Sequence, residues 1–432
     1  MSGRDEKGIL RTPRDRAGEI VTRLKQAGFI AYFAGGSVRD QLRGTAPDDY
    51  DIATSARPRE ILKLFPQAVP VGVSFGVVLV PFPPAKPGGK KVEIEVATFR
   101  SDGTYRDGRH PDSVCFTDEK EDARRRDFTI NGMFYDPVEG RVIDYVGGEN
   151  DLREGIIRTI GDPALRFGED YLRMIRAVRF ASRLGFQIEP QTTAALTKLA
   201  SHIVKISAER VRDEFLKILT GPDPFRGLTL LENCGLLRYI LPESGQMAPG
   251  GPLRTNIDSF RYVKDASPEL AFAILLNRTG GKDRVAEICR RFRLSNRQVE
   301  QVISRVADVE RIREIRNRSV AELKRLIRLP HYRDLLEMVH AECQATGRSL
   351  ADWEYGRMKE EAYGADELHP PELLSGGDLI AMGYSPGPRF REILTQIETG
   401  QLEGKIRTPG EARTFVIAHF PAETGSGRKL TI

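Results

Sequence analysis

Gly35-Gly36-Ser37-Val38-Arg39-Asp40, with Asp48-Asp49-Tyr50-Asp51-Ile52-Ala53-Thr54 a short way on, is the stretch that decides how this chain folds. The apolar run Ile30–Ala34 before it predicts a strand ending in a tight glycine turn. Asp49 and Asp51 stand at i and i+2 of a second extended segment, so period-two alternation sends both side chains to one side. Such a pair can hold divalent cations, and Mg²⁺ prefers carboxylates combined with substrate phosphates and water. The glycines allow close backbone approach, and a helix after them aims its N–H groups at a polyphosphate. Metal-assisted nucleotidyl transfer is the chemistry this order of parts implies. Each part alone is weak, since a lone D-x-D or Gly-Gly is most often a solvated turn.

At 432 residues the chain exceeds one typical domain. It has no apolar run of about eighteen residues, which excludes an ordinary membrane-spanning helix. Met1–Lys7 is charged and lacks the apolar core of a secretory signal. Cys115, Cys234, Cys289 and Cys343 are scattered, with no C-x-x-C. They read as reduced thiols of a cytoplasmic protein, without a zinc site or a disulfide framework. The net charge of +5 is modest, but Arg284–Arg328 holds thirteen Arg or Lys against six Asp or Glu. Such helices suit a phosphate backbone, and a salt-bridged solvated face fits them equally well.

Residues 1–16 read as disordered, and a helix is expected from Ala17 to about Phe29. Strands are expected at Ile30–Ala34, Asp49–Ala53, Gly76–Pro81, Lys91–Phe99 and Arg141–Tyr145, with a loop at Pro81–Gly89. The first part of the chain is therefore a mixed α/β head. After Gly161 the period lengthens to 3.6, predicting helices over Pro163–Leu184, Gln191–Ala200 and Ala208–Leu219. Tyr171, Met174, Ile175, Val178 and Ala181 form the buried stripe of the first. A separate helical module is expected near residues 365–425.

Three groups of residues carry chemistry. Gly36 and Arg39 with Asp49 and Asp51 form the first; Arg39 can meet phosphate oxygens in bidentate fashion. Glu95, on the expected strand with Glu93, is a candidate third carboxylate. The second is Arg124-Arg125-Arg126-Asp127-Phe128-Thr129-Ile130-Asn131-Gly132. There Arg126 can meet phosphate or ribose while Asp127 or Asn131 reads a sugar hydroxyl; a capped, solvated helix start is the plainer alternative. The third runs from Glu169 to Arg179 and sets Asp170 and Arg173 at i, i+3 of a helix. An Arg there can donate to cytosine O2 and N3, or to adenine N1, while the Asp accepts from the exocyclic amine. Guanine and uracil present a carbonyl where the carboxylate needs a donor. A surface ion pair is the alternative for those two residues. Arg176 and Arg179 continue along the same helix.

These motifs together resemble the class II tRNA nucleotidyltransferase and bacterial poly(A) polymerase family, nearest to its bacterial CCA-adding members. The likeness runs through GGSVRD (35–40), DDYDIAT (48–54), VATFRSDGTYRDGRHPDSVCFTD (96–118), RRRDFTINGM (124–133), EDYLRMIRAVRFASRLGF (169–186) and ISAERVRDEFLKIL (206–219). It implies an α+β protein with a polymerase-β-like nucleotidyltransferase head followed by an all-α neck, body and tail. The implied borders are 1–16 disordered, 17–160 head, 161–220 neck, 221–364 RNA-binding body and 365–432 tRNA-binding tail. It implies Mg²⁺-dependent, template-independent addition of CCA to the tRNA 3′ end from CTP and ATP, in the cytoplasm and with no protein partner. By the same resemblance Gly36, Arg39 and Arg126 bind the nucleotide and Asp49 and Asp51 hold the metal. Asp170 and Arg173 choose the base, and Arg176 and Arg179 complete the pocket.

Val71–Val77 looks like the tRNA enzymes rather than the poly(A) polymerases, and Ser101–Ser113 resembles a flexible loop that CC-adding relatives lack. An A-adding specialist would keep the same base-reading helix. A non-catalytic RNA-binding protein on this fold is the alternative from another class, and the intact D-x-D counts against it. Some relatives carry a phosphohydrolase His-Asp pair after an apolar helix. This chain has Asn277-Arg278 there, and none of its six histidines has ligand spacing.

Overall fold

The computed structural model describes residues 12–47, 49–72, 75–83, 91–103, 114–246 and 251–421. They fall into two compact units, Met1–Met247 with Arg291–Arg293, and Ala248–Arg290 with Leu294–Ile432.

The first unit opens on a helix, Pro13–Gln26, four residues ahead of its expected start. Thr12 and Asp15 form a capping box around Pro13, so residues 13–16, expected to be disordered, are helical. The strands follow as β1 (Ala31–Ala34), β2 (Asp51–Thr54), β3 (Val69–Gly72), β4 (Val77–Phe82), β5 (Val92–Thr98), β6 (Arg100–Asp102), β7 (Val114–Phe116), β8 (Phe134–Asp136) and β9 (Arg141–Ile143). Seven form one mixed sheet in the order β3-β4-β5-β2-β1-β8-β9, while β6 and β7 make a separate ribbon. Within the seven-stranded sheet β2 and β5 run parallel and the other neighbours are antiparallel. Strands β3 and β8 escape the sequence pattern because each is only three or four residues long. Phe33, Ile52, Val78 and Val96 pack with Ile20, Val21, Leu24 and Ile61. Tyr32, Ala53, Phe99 and Phe134 belong to a second cluster, as period-two alternation requires. Most of the expected Pro81–Gly89 loop and all of 104–113, with His110, lie outside the described residues.

Downstream, the expected helix Pro163–Leu184 is two helices, Pro163–Glu169 and Leu172–Leu184. Asp170 breaks them by turning extended, at φ −149° and ψ 104°. Its carboxylate takes the Leu172 N–H at 3.0 Å, which starts the second helix. Gly185, at φ +72°, ends that helix in the left-handed region. The next helices are Pro190–Leu199 and, as expected, Ala208–Leu219. Helix Pro224–Asn233 packs on Leu172–Leu184, with Gly227 against Ile218 and Ser182, so the unit runs past residue 220 to Met247.

The second unit is helical in its described residues. Its basic stretch is largely neutralised within the protein. Arg305 pairs with Asp334, Arg313 with Glu310 and Glu342, Arg316 with Asp352, and Arg325 and Arg328 with Glu398. Among the described residues Arg290 and Arg297 make no ion pair. Arg278 adopts φ +57° and joins Glu310 and Glu342, each at 3.0 Å, so the Asn277-Arg278 step serves this network. The C-terminal module has its own core of Leu379, Tyr384, Ile393, Ile397 and Val416 under three helices, Gly376–Ala381, Pro388–Leu402 and Pro409–His419. No helix among the described residues is long and apolar enough to cross a membrane. All four cysteines are free, and burial pushes Cys234 up to about 11 and Cys289 up to about 12.

The Thr129–Asn131 turn of the arginine motif lies under helix Gly148–Glu154. A Cβ on Gly148 would sit 2.3 Å from the Thr129 carbonyl oxygen and 2.7 Å from Met133 Cγ. Backbone cannot retreat as a side-chain tip does. Gly148→Ala is therefore expected to cost about 1–3 kcal/mol, read as a lowered unfolding midpoint in urea. An unchanged midpoint would show that the helix can lift away freely.

Candidate active site

Pairing of β1 sets the site. Ala34 lies opposite Asp51 on one side and Phe134 on the other, so the turn after β1 opens beside the first residue of β2. Gly35, at φ +69°, makes that turn and leads into helix Gly36–Leu42. A side chain there would be strained, and its Cβ would stand 3.1 Å from Arg126 Nη1. Glycine at 35 thus admits the arginine.

Strand β2 begins at Asp51, so Asp49 precedes it, but the alternation holds. Tyr50 and Ile52 are buried, while Asp49 and Asp51 face outward. Tyr50 anchors the segment edge-on against Phe33, at 5.1 Å between rings. The parallel register, Ile52 beside Val96, brings Asp51 level with Glu95 on β5. Burial raises the Asp51 carboxyl, and the charge of Asp49 adds to it against Arg126. Burial likewise raises Glu95, with Asp51 adding and Arg100 opposing. Carboxylates that repel one another at the mouth of a cavity are relieved by a bound cation. Their hard oxygen donors suit Mg²⁺. Among the described residues no three His, Cys, Asp or Glu form a ready-made metal cluster. A cation here would complete its shell from substrate phosphates and water.

A cavity of about 470 Å³ opens beside Asp51. Gly35, Gly36, Arg39, Arg126, Asp127, Asn131, Asp170, Arg173, Arg176 and Arg179 line it together with Asp51. Its wall carries seven arginines against three aspartates, a balance that favours a polyanion. Nearly every expected site residue is thus brought to one place, and Asp49 and Glu95 couple to it through Asp51.

Several of these side chains hold one another. Asp127 accepts from Arg176 Nε and Nη2 at 2.9 and 2.6 Å, from Asn131 Nδ2 at 3.0 Å and from the Phe128 N–H at 2.8 Å. Asn131 Oδ1 accepts from Arg39 Nη1 at 2.6 Å, and Arg39 also forks onto Asp40. Asp127 or Asn131 is expected to read a sugar hydroxyl; the Asp127 carboxylate is taken up by Arg176, Asn131 and the Phe128 N–H, while Asn131 makes one bond through each end of its amide. Burial alone would raise Asp127, but the Arg176 charge and the hydrogen bonds outweigh it and hold the carboxyl at about 2. Burial lowers Arg179 to about 10 even though Glu214 lies 2.8 Å from its Nε.

Asp170 and Arg173 do not form the expected i, i+3 helical pair. Asp170 stands in the break before the helix and meets Arg210, at 2.7 Å from Nη2 to Oδ2. Arg173 Nη1 donates to Glu169 and to the Arg166 carbonyl. Both still face the cavity. The sequence reading also passed over Arg100, Arg125 and Phe180 in the wall, and Asp122, which holds Arg125 at 2.9 Å and Arg126 at 2.9 Å. Arg210 and Glu214 lay within a quoted run, one helical turn apart, which is the signal that could have found them.

Three family models match the chain. "Poly A polymerase head domain" covers residues 31–158. "Probable RNA and SrmB- binding site of polymerase A" covers 185–246, and the tRNA nucleotidyltransferase domain 2 model covers 264–414. The CCA-adding enzyme of Geobacillus stearothermophilus is 34% identical over 93% of this chain and 96% of its own. That of Limosilactobacillus fermentum is 35% identical, over 90% and 92% respectively. Among solved structures, the Bacillus stearothermophilus CCA-adding enzyme in complex with CTP superposes with a TM-score of 0.73 at 32% identity, over 93% of this chain and 96% of that one.

The depressed carboxyl fixes the sign of a pH effect. A folded value near 2 against 3.8 unfolded gives stability that is complete above pH 4 and lost as pH falls towards 2. The difference is worth about 2 kcal/mol. Asp127→Asn should lose that amount at pH 7 and flatten the acid limb of the melting temperature between pH 4 and 2. An acid limb identical to wild type would remove Asp127 from the account.

Proposed function

The chain belongs to the family of CCA-adding enzymes, and from that premise we propose that it adds CCA to the 3′ end of tRNA from CTP and ATP, without a nucleic-acid template and releasing pyrophosphate. The observation that carries this is one basic cavity lined by Asp51 together with Asp170 and Arg173. One end offers carboxylates and a glycine turn, as phosphate chemistry requires. The other offers an acceptor and a donor, as base reading requires.

Asp49 and Asp51 would hold Mg²⁺, with Glu95 beside them, and the ion would supply activation of the attacking 3′-hydroxyl and neutralisation of the leaving pyrophosphate. The protein supplies position. Gly36 opens the helix whose N–H groups face the phosphates, and Arg126, held by Asp122, adds a fixed positive charge. Arg39, tied to Asp40 and Asn131, stiffens the turn.

Base choice follows from what Asp170 and Arg173 have left to offer. Asp170 Oδ1 accepts two hydrogen bonds and Oδ2 one, so Oδ2 keeps a lone pair for an exocyclic amine. Among the described residues, Arg173 Nε and Nη2 have no hydrogen-bond partner, and both can donate to a base edge. Cytosine and adenine fit that pair; uracil and guanine set a carbonyl against the carboxylate. The helical segments after residue 220 would hold the tRNA, with Arg290 and Arg297 as available cations. The division into neck, body and tail at 220 and 364 is part of this proposal.

With purified protein, Mg²⁺ and transcripts ending at the discriminator base, at C and at CC, all three should grow to a completed CCA. Extension of the CC-ended transcript alone would make the protein an A-adding enzyme, and ladders of A would make it a poly(A) polymerase. Asp49→Asn and Asp51→Asn should each abolish addition while tRNA binding persists; activity in both would sink the assignment. Arg173→Ala should lower the preference for CTP over UTP about tenfold or more, because unpaired buried polar groups drive such discrimination. Selectivity equal to wild type would remove Arg173 from base reading.

A further inference from the structure

Arg166 lies outside the two groups just assigned, yet it touches both. It projects from helix Pro163–Glu169, and its side chain is 12% exposed. Nη1 donates to Glu169 Oε2 at 2.6 Å. Nη2 donates to the Arg126 carbonyl at 2.5 Å and to the Arg124 carbonyl at 3.2 Å. The same Glu169 oxygen accepts from Arg173 Nη1, which also donates to the carbonyl of Arg166 itself at 2.9 Å. One guanidinium thus spans from the backbone of the arginine run to the carboxylate that orients the base-reading arginine.

We propose that Arg166 is a positioning residue for nucleotide selection, fixing Arg173 and the 124–126 backbone at one separation. The inference rests on the proposed nucleotidyl transfer. Its physical basis is that a triphosphate held at Arg126 and a base read at Arg173 belong to one covalently linked substrate of limited span. A shift between the two holding points spoils the reading of a base even when both contacts survive. Asp122 completes the frame, since it holds the Arg126 side chain while Arg166 holds the Arg126 carbonyl. The flat fork of Arg serves two carbonyls and a carboxylate at once, whereas the point charge of Lys cannot. Glu169 Oε2 accepts from both Arg166 and Arg173.

The test compares Arg166→Lys, Arg166→Met and the wild type in single-nucleotide incorporation with CTP, ATP, UTP and GTP. Arg166→Met is expected to lower kcat/KM for CTP by about 10- to 100-fold and to reduce the CTP-over-UTP ratio, since small misplacements carry losses of that size. Arg166→Lys keeps its charge beside Glu169, so it should raise KM while retaining most of the selectivity. Equal loss for all four nucleotides in Arg166→Met would overturn the proposal in favour of a purely structural clamp. So would a Lys variant with wild-type KM, which also decides the matter if the Met variant fails to fold. A wild type that incorporates nothing would sink the parent reading as well. A selective wild type beside an equally selective Met variant would sink only the role of Arg166.

Discussion

The Asp127 carboxylate is the interaction on which the site depends. It sits at the end of the arginine run, yet it binds Arg176 on helix Leu172–Leu184 and, through Asn131, steadies Arg39 beside the glycine turn. Three elements far apart in sequence are thereby joined at one side chain. A buried ion pair of this kind adds little net stability, because desolvation offsets most of the attraction. Losing one partner, however, leaves the other charge buried and unpaired. The arrangement therefore specifies geometry more than it adds free energy.

Phe180 extends that specification. Its ring lies under Arg179 at 4.2 Å and within 5.4 Å of both Arg39 and Arg176, and it packs edge-on with Phe128. Three guanidiniums around one ring would repel one another in the absence of acids. Asp40, Asp127 and Glu214 each take one, which keeps the cluster together and leaves a net positive cavity for a polyanion. A face that was only solvated would not need such matching.

Much of this was legible in sequence. Local rules were enough for the glycine turn, the shared side of Asp49 and Asp51, and helix Ala208–Leu219. The family likeness then gathered motifs that were weak one by one. What stayed hidden depends on tertiary partners. Asp170 at i and Arg173 at i+3 look like a helical pair, but the Asp side chain competes for the Leu172 N–H and opens the helix. Glu169 and Arg166 could be assigned roles only once the fold had placed them. The pairing within the basic stretch stayed hidden for the same reason, because many of its acids come from elsewhere in the chain, such as Asp334, Glu342 and Glu398.

The break at Asp170 shows why the helix pattern and the site conflict there. A continuous helix from Pro163 to Leu184 would have satisfied the 3.6 period and fixed Asp170 one turn below Arg173. In that geometry the two would pair with each other and present a neutral surface to the cavity. Breaking the helix separates them, and each then meets a different partner: Arg210 for the carboxylate and Glu169 for the guanidinium. The acceptor and the donor keep their charges and point into the same cavity. The capping hydrogen bond from Leu172 repays part of the lost helical bonding, which ordinarily costs about 1 kcal/mol per uncapped end. Local regularity is given up at the one residue whose carboxylate caps the next helix and meets Arg210 at the cavity wall.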